Sequence, residues 1–454
     1  MKAKRICVVF VYLHFYTLHG MYSEKKSSIN IITLGCSKNS VDSEVIAARL
    51  QEKGHKVMHE STNDTDVVII NTCSFINDAK EQSIDEILLH AERKKKGNIK
   101  YLYVIGCLAQ RYKNDLVNMF PEVDAFYTFS ELHFLLEDEN FDLLNSKPRL
   151  LSTPSHYAYL KISEGCDREC SYCAIPLIRG KQISKTIDHI VDEANMLVKS
   201  GVKEILLIAQ DLTYYGMDIS KQRDLEKLLR HLAKIDGLKW LRLHYAYPLG
   251  FPYEILDVMN EYSNICKYLD IPLQHISDDI LRDMRRGGSS MQTYKLIETI
   301  RNKVPGIALR TTLISGYPTE TKAQHKELVE FVKATKFERL GVFSYSQEEG
   351  TPAYPLGDPI RQSEKNKRLE ELMTLQEEIS LEHNKTLVGK VLPVLIDYKE
   401  DNYYVGRTEF DSPDVDNSIL ISKKNKLTIG EFYPVRINKA DCFDLYGDAI
   451  LNNK

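Results

Sequence analysis

Apolar residues along this chain fall into short, nearly continuous runs separated by stretches of helical period. Between residues 29 and 145 the runs "INIITL", "DVVIIN" and "YLYVIG" are apolar at successive positions, as strands buried on both faces are. The amphipathic stretches "SVDSEVIAARLQEKG" and "AKEQSIDEILLHAERKKKG" lie between them and stop at Gly54 and Gly97, where a helix end favours glycine. Shorter runs near Lys56 and Asp124 add two possible strands. The pattern predicts a doubly wound α/β domain over 29–145.

The segment "NSKPRLLSTPS", from Asn145 to Ser155, has two prolines and turn residues and reads as a linker. The alternation then restarts, with six strand candidates: "YLKIS", "EILLIAQ", "KWLRLHY", "KYLDIPLQ", "ALRTTLIS" and "RLGVFSYS". Helical patterns separate them, for instance "SKTIDHIVDEANMLVKSG" and "TKAQHKELVEFVKATK", and a charged helix, "SEKNKRLEELMTLQEEISLEHNK", follows. Six units predict a partial (β/α)6 TIM-like barrel over 156–385 rather than a closed eight-fold one. Beyond it "VLPVLIDY", "YYVGRTE", "SILIS" and "EFYPVRINKA" predict a small all-β barrel over 386–452. The fold class is therefore α/β with an appended β module. Residues 1–28 stand apart: a basic start and a short apolar run, too short to span a bilayer, interrupted by His14 and His19 and without a small-residue cleavage pattern. The expectation is translation from Met21, or a loose extension.

Composition narrows the class. At 454 residues the chain calls for two to four domains, and 43% hydrophobic with 27% charged residues is the balance of a globular protein. The net charge of −4 gives no global pull toward nucleic acid or membrane. Nine cysteines, an odd number in a long chain, point to reduced thiols in the cytoplasm, some of them metal ligands, rather than to a disulfide framework.

The run "SEGCDRECSYCAIP" places Cys166, Cys170 and Cys173 in a C-x₃-C-x₂-C spacing directly after the first barrel strand. Three thiolates on one tight loop can hold three irons of a cubane cluster and leave the fourth without a protein ligand. Electron carriers and structural zinc sites instead close with four ligands, and no fourth Cys or His lies close by; His189 is on the next helix. This spacing resembles the radical S-adenosylmethionine superfamily. The resemblance implies that the open iron chelates the methionine part of S-adenosylmethionine. One electron then cleaves its carbon–sulfur bond, giving a 5′-deoxyadenosyl radical that abstracts hydrogen.

A second set is dispersed. Cys36, Cys73 and Cys107 each follow, by one or two residues, one of the three buried strands of the first domain. The C-terminal ends of neighbouring strands in a doubly wound sheet converge on one edge, so a second three-thiolate site is geometrically available. The alternative is three small residues packed under loops.

An α/β domain with three cysteines, a radical barrel and a small β module together resemble the methylthiotransferases, from Ile29 to the C-terminus. The wording "LGCSKNSVDSE", "NTCSFINDAKEQSIDEIL", "IPLIRGKQIS", "IAQDLTYYG", "YLDIPLQH", "MRRG" and "YSQEEGTPAY" resembles the RimO branch, which acts on a ribosomal protein, more than the MiaB branch, which acts on transfer RNA. The latter typically carries Arg where this chain has Phe75, and Arg-Pro where it has Glu348-Glu349. The resemblance implies two [4Fe-4S] clusters, one making the radical and one presenting sulfur. A second S-adenosylmethionine would supply the methyl group, flavodoxin or ferredoxin the electron, and the substrate would be the β-carbon of an aspartate in small-subunit ribosomal protein S-twelve.

Further cofactor contacts are expected at Tyr172, where the superfamily has an aromatic near adenine, and at Gln210 and Asp211, at the end of the second barrel strand, where turn capping is the other reading. Arg310 either meets the cofactor carboxylate bidentately or makes an internal ion pair. His275 is either at the site or a core histidine; Cys266 and Cys442 are expected to be structural, and Cys7 lies in the extension. The β module resembles the TRAM domain, which in relatives often binds RNA. Its Glu409, Asp411, Asp414, Asp416, Asp441, Asp444 and Asp448 instead suggest an acidic face suited to a basic ribosomal protein. Competing readings are the same chemistry on a transfer-RNA adenosine, a non-enzymatic zinc- or cluster-bearing RNA-binding module, and a radical enzyme with no sulfur task.

Overall fold

Three runs of β-branched and aliphatic residues form the middle of the first sheet. Strands β1 (Ser28–Thr33), β2 (Lys56–His59), β3 (Val67–Thr72), β4 (Tyr101–Gly106) and β5 (Ala125–Phe126) pair parallel in the order β2-β1-β3-β4-β5. The computed structural model describes residues 26–424 and 426–451; the expectations about Cys7, Met21 and the leading apolar run lie outside the described residues. Successive strand residues feed two cores. Ile29, Ile31, Val67 and Ile69 pack with the helix Ser37–Glu52 on one face. Ile32, Val68 and Ile70 pack with the helices Asn77–Lys95 and Cys107–Met119 on the other. The sheet is thus doubly wound, with its strand order reversing between β1 and β3, where such folds build their sites. Both glycine stops close helices by the same bonds: Gly54 N to Gln51 O and His55 N to Leu50 O, then Gly97 N to Lys94 O and Asn98 N to Arg93 O.

By internal packing the chain falls into two units. One is the stretch up to Ser152 together with Leu177–Gly180; the other is Thr153–Pro176 together with everything from Lys181. In the second unit, β6 (Tyr157–Lys161) is followed by a short antiparallel hairpin, β7 (Ser163–Glu164) with β8 (Ile183–Ser184), which the hydrophobic pattern does not reveal. Strands β9 (Glu204–Ile208), β10 (Trp240–Leu243), β11 (Ile265–Asp270), β12 (Ala308–Ser315) and β13 (Arg339–Ser344) complete a six-stranded parallel sheet in the order β13-β12-β11-β10-β9-β6. This is the open, partial barrel.

The β module closes as a five-stranded barrel, β14 (Val391–Glu400), β15 (Tyr403–Arg407), β16 (Ser418–Ser422), β17 (Phe432–Ala440) and β18 (Asp444–Ala449), in the order β14-β15-β16-β18-β17. Its last strand, "DLYGDA", escapes a hydrophobic reading because only one of its fully buried residues, Leu445 and Gly447, carries a large apolar side chain. The module packs within the second unit, and here the expectation of an acidic outer face needs correction for Glu409, Asp411 and Asp416, which have partners inside it, while Asp414 and Asp441 are exposed. Asp411 is buried and the side chain of Asp416 is turned inward, and Asp411 accepts from Arg339 Nε at 2.9 Å. Asp416 pairs with Arg310 at 3.4 Å, and the Glu409 carboxylate accepts from the Lys267 N–H at 3.1 Å. Behind them, Arg242 and Arg407 share Glu204, each at 2.8 Å. Asp411, Asp416 and Glu204 thus satisfy buried arginines, because a buried guanidinium needs partners. Among the described residues no helix is long and apolar enough to cross a membrane.

Candidate metal centres

In the first unit, register brings Cys36, Cys73 and Cys107 to one sheet edge. Asn71 pairs with Thr33 on one side and with Ile105 on the other, so the ends of β1, β3 and β4 lie side by side. Side chains lock those ends. Asn39 Nδ2 donates to the carbonyls of Leu34 at 2.8 Å and Thr72 at 3.1 Å, and Thr72 Oγ1 donates to Ile105 O. Glycine is required just before two of the cysteines. At Gly35 (φ +93°) a Cβ would lie 2.6 Å from Cys73 Cβ, and at Gly106 (φ +94°) one would lie 2.5 Å from Thr72 O. Burial pushes the Cys73 thiol up to about 12 and raises Cys107 as well; Cys73 also feels the charge of Cys36 and Cys107, and Cys107 that of Cys36. Cys36 reaches the surface.

Arg179 lies in "IPLIRGKQIS", a segment whose pattern alone gives it no role. Its Nη2 lies 3.4 Å from Cys107 Sγ and 2.6 Å from Asn39 Oδ1, and its Nη1 lies 2.6 Å from Asp42 Oδ2.

In the second unit, the loop of Cys166, Cys170 and Cys173 leaves the C-terminal end of β6, the end where β/α barrels place their chemistry. A turn closes it, Cys173 N to Cys170 O at 3.1 Å, and Ser171 anchors it through its N–H to Met284 O and its carbonyl to Ala353 N. The Arg168 N–H donates to Cys166 Sγ at 3.4 Å, and Arg286 Nη1 lies 3.5 Å from Cys170 Sγ. The guanidiniums of Arg168 and Arg286 lie 4.0 and 4.2 Å from the Tyr247 ring centre, and the Tyr247 hydroxyl is 3.7 Å from Cys170 Sγ. Burial lifts the Cys166 thiol to about 11 and that of Cys173 to about 12. Sequence reasoning missed Arg168, Tyr247 and Arg286 as parts of this site; "MRRG" was the only visible trace of Arg286.

The other expected contacts divide. Tyr172 packs against Ile280, Met284, Tyr317, Tyr345 and Ala353 beside the loop. Gln210 donates to Glu164 Oε1 at 2.6 Å, and Asp211 both caps Thr213 N at 2.8 Å and accepts from Arg168 Nε at 2.8 Å. Arg310 pairs with Asp270 at 3.1 Å and with Asp416 at 3.4 Å, the internal ion pair that is one of its two readings. His275 is a buried core histidine whose Nδ1 accepts from Ser277 N at 3.0 Å, and burial lowers its pKa to about 4.

Each set offers three thiols with a guanidinium against one sulfur, which is the donor chemistry of an iron–sulfur cluster with one iron left open. Among the described residues no group of three His, Cys, Asp or Glu is placed to hold a single metal ion. Cluster thiolates each serve a different iron and sit further apart than the ligands of one ion. A polar cofactor also fits beside the loop: Ser163 Oγ, Gln210 Oε1, Gln274 Oε1, Ser315 Oγ and Tyr345 OH, all at or just past barrel strand ends, are buried without a hydrogen-bond partner among the described residues.

Comparison with known proteins covers most of the chain. Residues 28–128 match the model described as uncharacterized protein family UPF0004, 160–332 the radical SAM superfamily and 388–450 the TRAM domain. The protein named ribosomal protein uS12 methylthiotransferase RimO of Cytophaga hutchinsonii is 51% identical over 432 residues, covering 94% of this chain and 98% of that one. Its namesake in Bacteroides thetaiotaomicron is 51% identical over 433 residues, covering 94% and 99%. Among solved structures, the radical S-adenosylmethionine methyltransferase TsrM of Kitasatospora setae, with cobalamin and a [4Fe-4S] cluster bound, aligns at a TM-score of 0.53 and 15% identity, covering 72% of this chain and 77% of that one, a likeness of fold. With half its residues identical to such relatives across nearly their full lengths, the chain belongs to the RimO family of radical S-adenosylmethionine methylthiotransferases.

Proposed function

We propose that this enzyme attaches a methylthio group to the β-carbon of an aspartate in the small-subunit ribosomal protein uS12. In this reading the loop of Cys166, Cys170 and Cys173 holds the radical-generating [4Fe-4S] cluster, and Cys36, Cys73 and Cys107 hold a second one that presents sulfur. The observation that carries the reading is the second set: three thiols at the ends of three adjacent parallel strands, which a radical enzyme without a sulfur task does not need. When bound, the clusters and S-adenosylmethionine supply one-electron chemistry able to activate an unactivated C–H bond.

The chain's own residues bind and shield. Burial around Cys73, Cys107 and Cys170 keeps water from the thiolates, and the guanidiniums of Arg179 and Arg286 offset their negative charge. Asp211 fixes Arg168, which holds Cys166 through its backbone N–H. Gln210, Tyr172 and the polar atoms at the strand ends are the proposed contacts of S-adenosylmethionine. A low-potential donor such as flavodoxin or ferredoxin delivers the electron, and the cytoplasm, where uS12 is made, is the expected location.

The test is anaerobic turnover with purified uS12, purified small subunits and transfer RNA as separate substrates. A mass gain on one uS12 aspartate, corresponding to one hydrogen replaced by one methylthio group, supports the reading. Modification of the transfer RNA alone overturns it. Cys36→Ala is expected to keep S-adenosylmethionine cleavage and to lose sulfur insertion.

A further inference from the structure

We infer that Arg179 sets the reduction potential of the centre on Cys36, Cys73 and Cys107, holding it above the value the thiolates alone would give; this rests on the proposal that those cysteines carry a cluster. The side chain of Arg179 is 3% exposed, and its guanidinium carbon lies 4.0 Å from the ring centre of Phe129. One fork nitrogen reaches both Cys107 Sγ at 3.4 Å and Asn39 Oδ1 at 2.6 Å, while the other is held by Asp42 Oδ2 at 2.6 Å. Asn39 is itself pinned by the carbonyls of Leu34 and Thr72, so the guanidinium is aimed at the sulfur by groups belonging to the same strand ends as the cysteines.

A cluster gains a negative charge on reduction. An N–H donor and a fixed positive charge at a ligand sulfur stabilise that more negative state, and the low dielectric of a buried site strengthens the effect. A lysine supplies the charge but lacks the planar fork that meets Asp42, Asn39 and the thiolate together. Asp42 works in the opposite sense, as the counter-charge that limits the shift. Arg179 is thus a positioning and tuning residue rather than a catalytic one.

The test uses the full-length chain carrying Cys166→Ala, Cys170→Ala and Cys173→Ala, so that one centre alone titrates. It is reconstituted anaerobically and followed by EPR in a potentiometric titration, with iron counted in every variant. Arg179→Gln is expected to lower the midpoint so that reduction becomes about tenfold less favourable, about 59 mV for one electron. Arg179→Lys is expected between Gln and the parent. Asp42→Asn, which leaves the guanidinium in place, is expected to move the midpoint upward. An unchanged midpoint in Arg179→Gln with iron retained overturns the inference. If Arg179→Gln takes up no iron, Asp42→Asn decides, and an unshifted or lowered midpoint there overturns it. A background chain that binds no iron overturns the three-cysteine reading itself.

Discussion

Nε of Arg168 donates to Oδ2 of Asp211 at 2.8 Å, while Oδ1 of the same carboxylate accepts the Thr213 N–H at 2.8 Å. One carboxylate thereby ties the turn after β9 to the residue whose own N–H meets Cys166. Asp211→Ala removes both ties and leaves a largely buried guanidinium without its counter-charge. It is expected to cost about 3 kcal/mol of stability and to lower the iron retained by the Cys166 loop, measured by denaturant unfolding and by iron content. Asp211→Asn keeps the Thr213 bond and is expected to lose less on both measures.

The glycines before Cys36 and Cys107 give a second prediction. Gly35→Ala would put a Cβ 2.6 Å from Cys73 Cβ in a backbone conformation of φ +93°. The strained backbone alone costs about 1–2 kcal/mol, and Cys73 must shift. Iron is expected to fall to one cluster per chain while the spectrum of the other cluster persists. A chain that keeps two clusters would contradict the role given to this close approach.

Acid sensitivity follows from Glu204. Burial alone would raise its carboxyl, but Arg407 and Arg242 overcome that and hold it below the ordinary value of 4.5. The folded-state value is depressed, so the stabilisation is complete above about 4.5 and is lost as pH falls through the lowered value. The parent is expected to lose melting temperature steeply below that point. Glu204→Gln is expected to start lower at neutral pH, by about 3–5 kcal/mol, and to show a shallower acid limb.

Removing the β module tests its buried pairs. Arg242 donates to the carbonyls of Glu409 at 2.7 Å and Thr408 at 3.3 Å, and Arg310 and Arg339 have carboxylate partners in the same loop. A chain ending at Lys385 would leave Arg339 without its carboxylate and take one of two partners from Arg310 and the carbonyl partners from Arg242, and is expected to be insoluble or to unfold without cooperativity, as seen by circular dichroism. A soluble, cooperatively melting barrel would contradict this.

The central strands β3, β4 and β9 were legible because each is buried on two faces and so reads as a nearly unbroken apolar run, as "EILLI" does in β9. Two-residue strands such as β7 and β8 carry no such period, and β18 hides its inward positions behind Asp444 and Asp448. The spacing of Cys166, Cys170 and Cys173 was local and visible. The partners of the cysteines were not: Arg286 lies 116 residues from Cys170 and Arg179 lies 72 from Cys107, separations at which no local pattern survives. The same blindness made Asp411 and Asp416 read as surface charge, because their arginines stand on distant strands.

The most direct measurement is a count of iron and sulfide per chain after anaerobic reconstitution, made on the parent, on Cys166→Ala/Cys170→Ala/Cys173→Ala and on Cys36→Ala/Cys73→Ala/Cys107→Ala. Two [4Fe-4S] clusters in the parent and one in each triple variant are expected, with S-adenosylmethionine cleavage surviving only in the second variant. A parent holding a single cluster, or a chain whose iron is unaffected by loss of Cys36, Cys73 and Cys107, would contradict the assignment of sulfur insertion to the strand-end thiols.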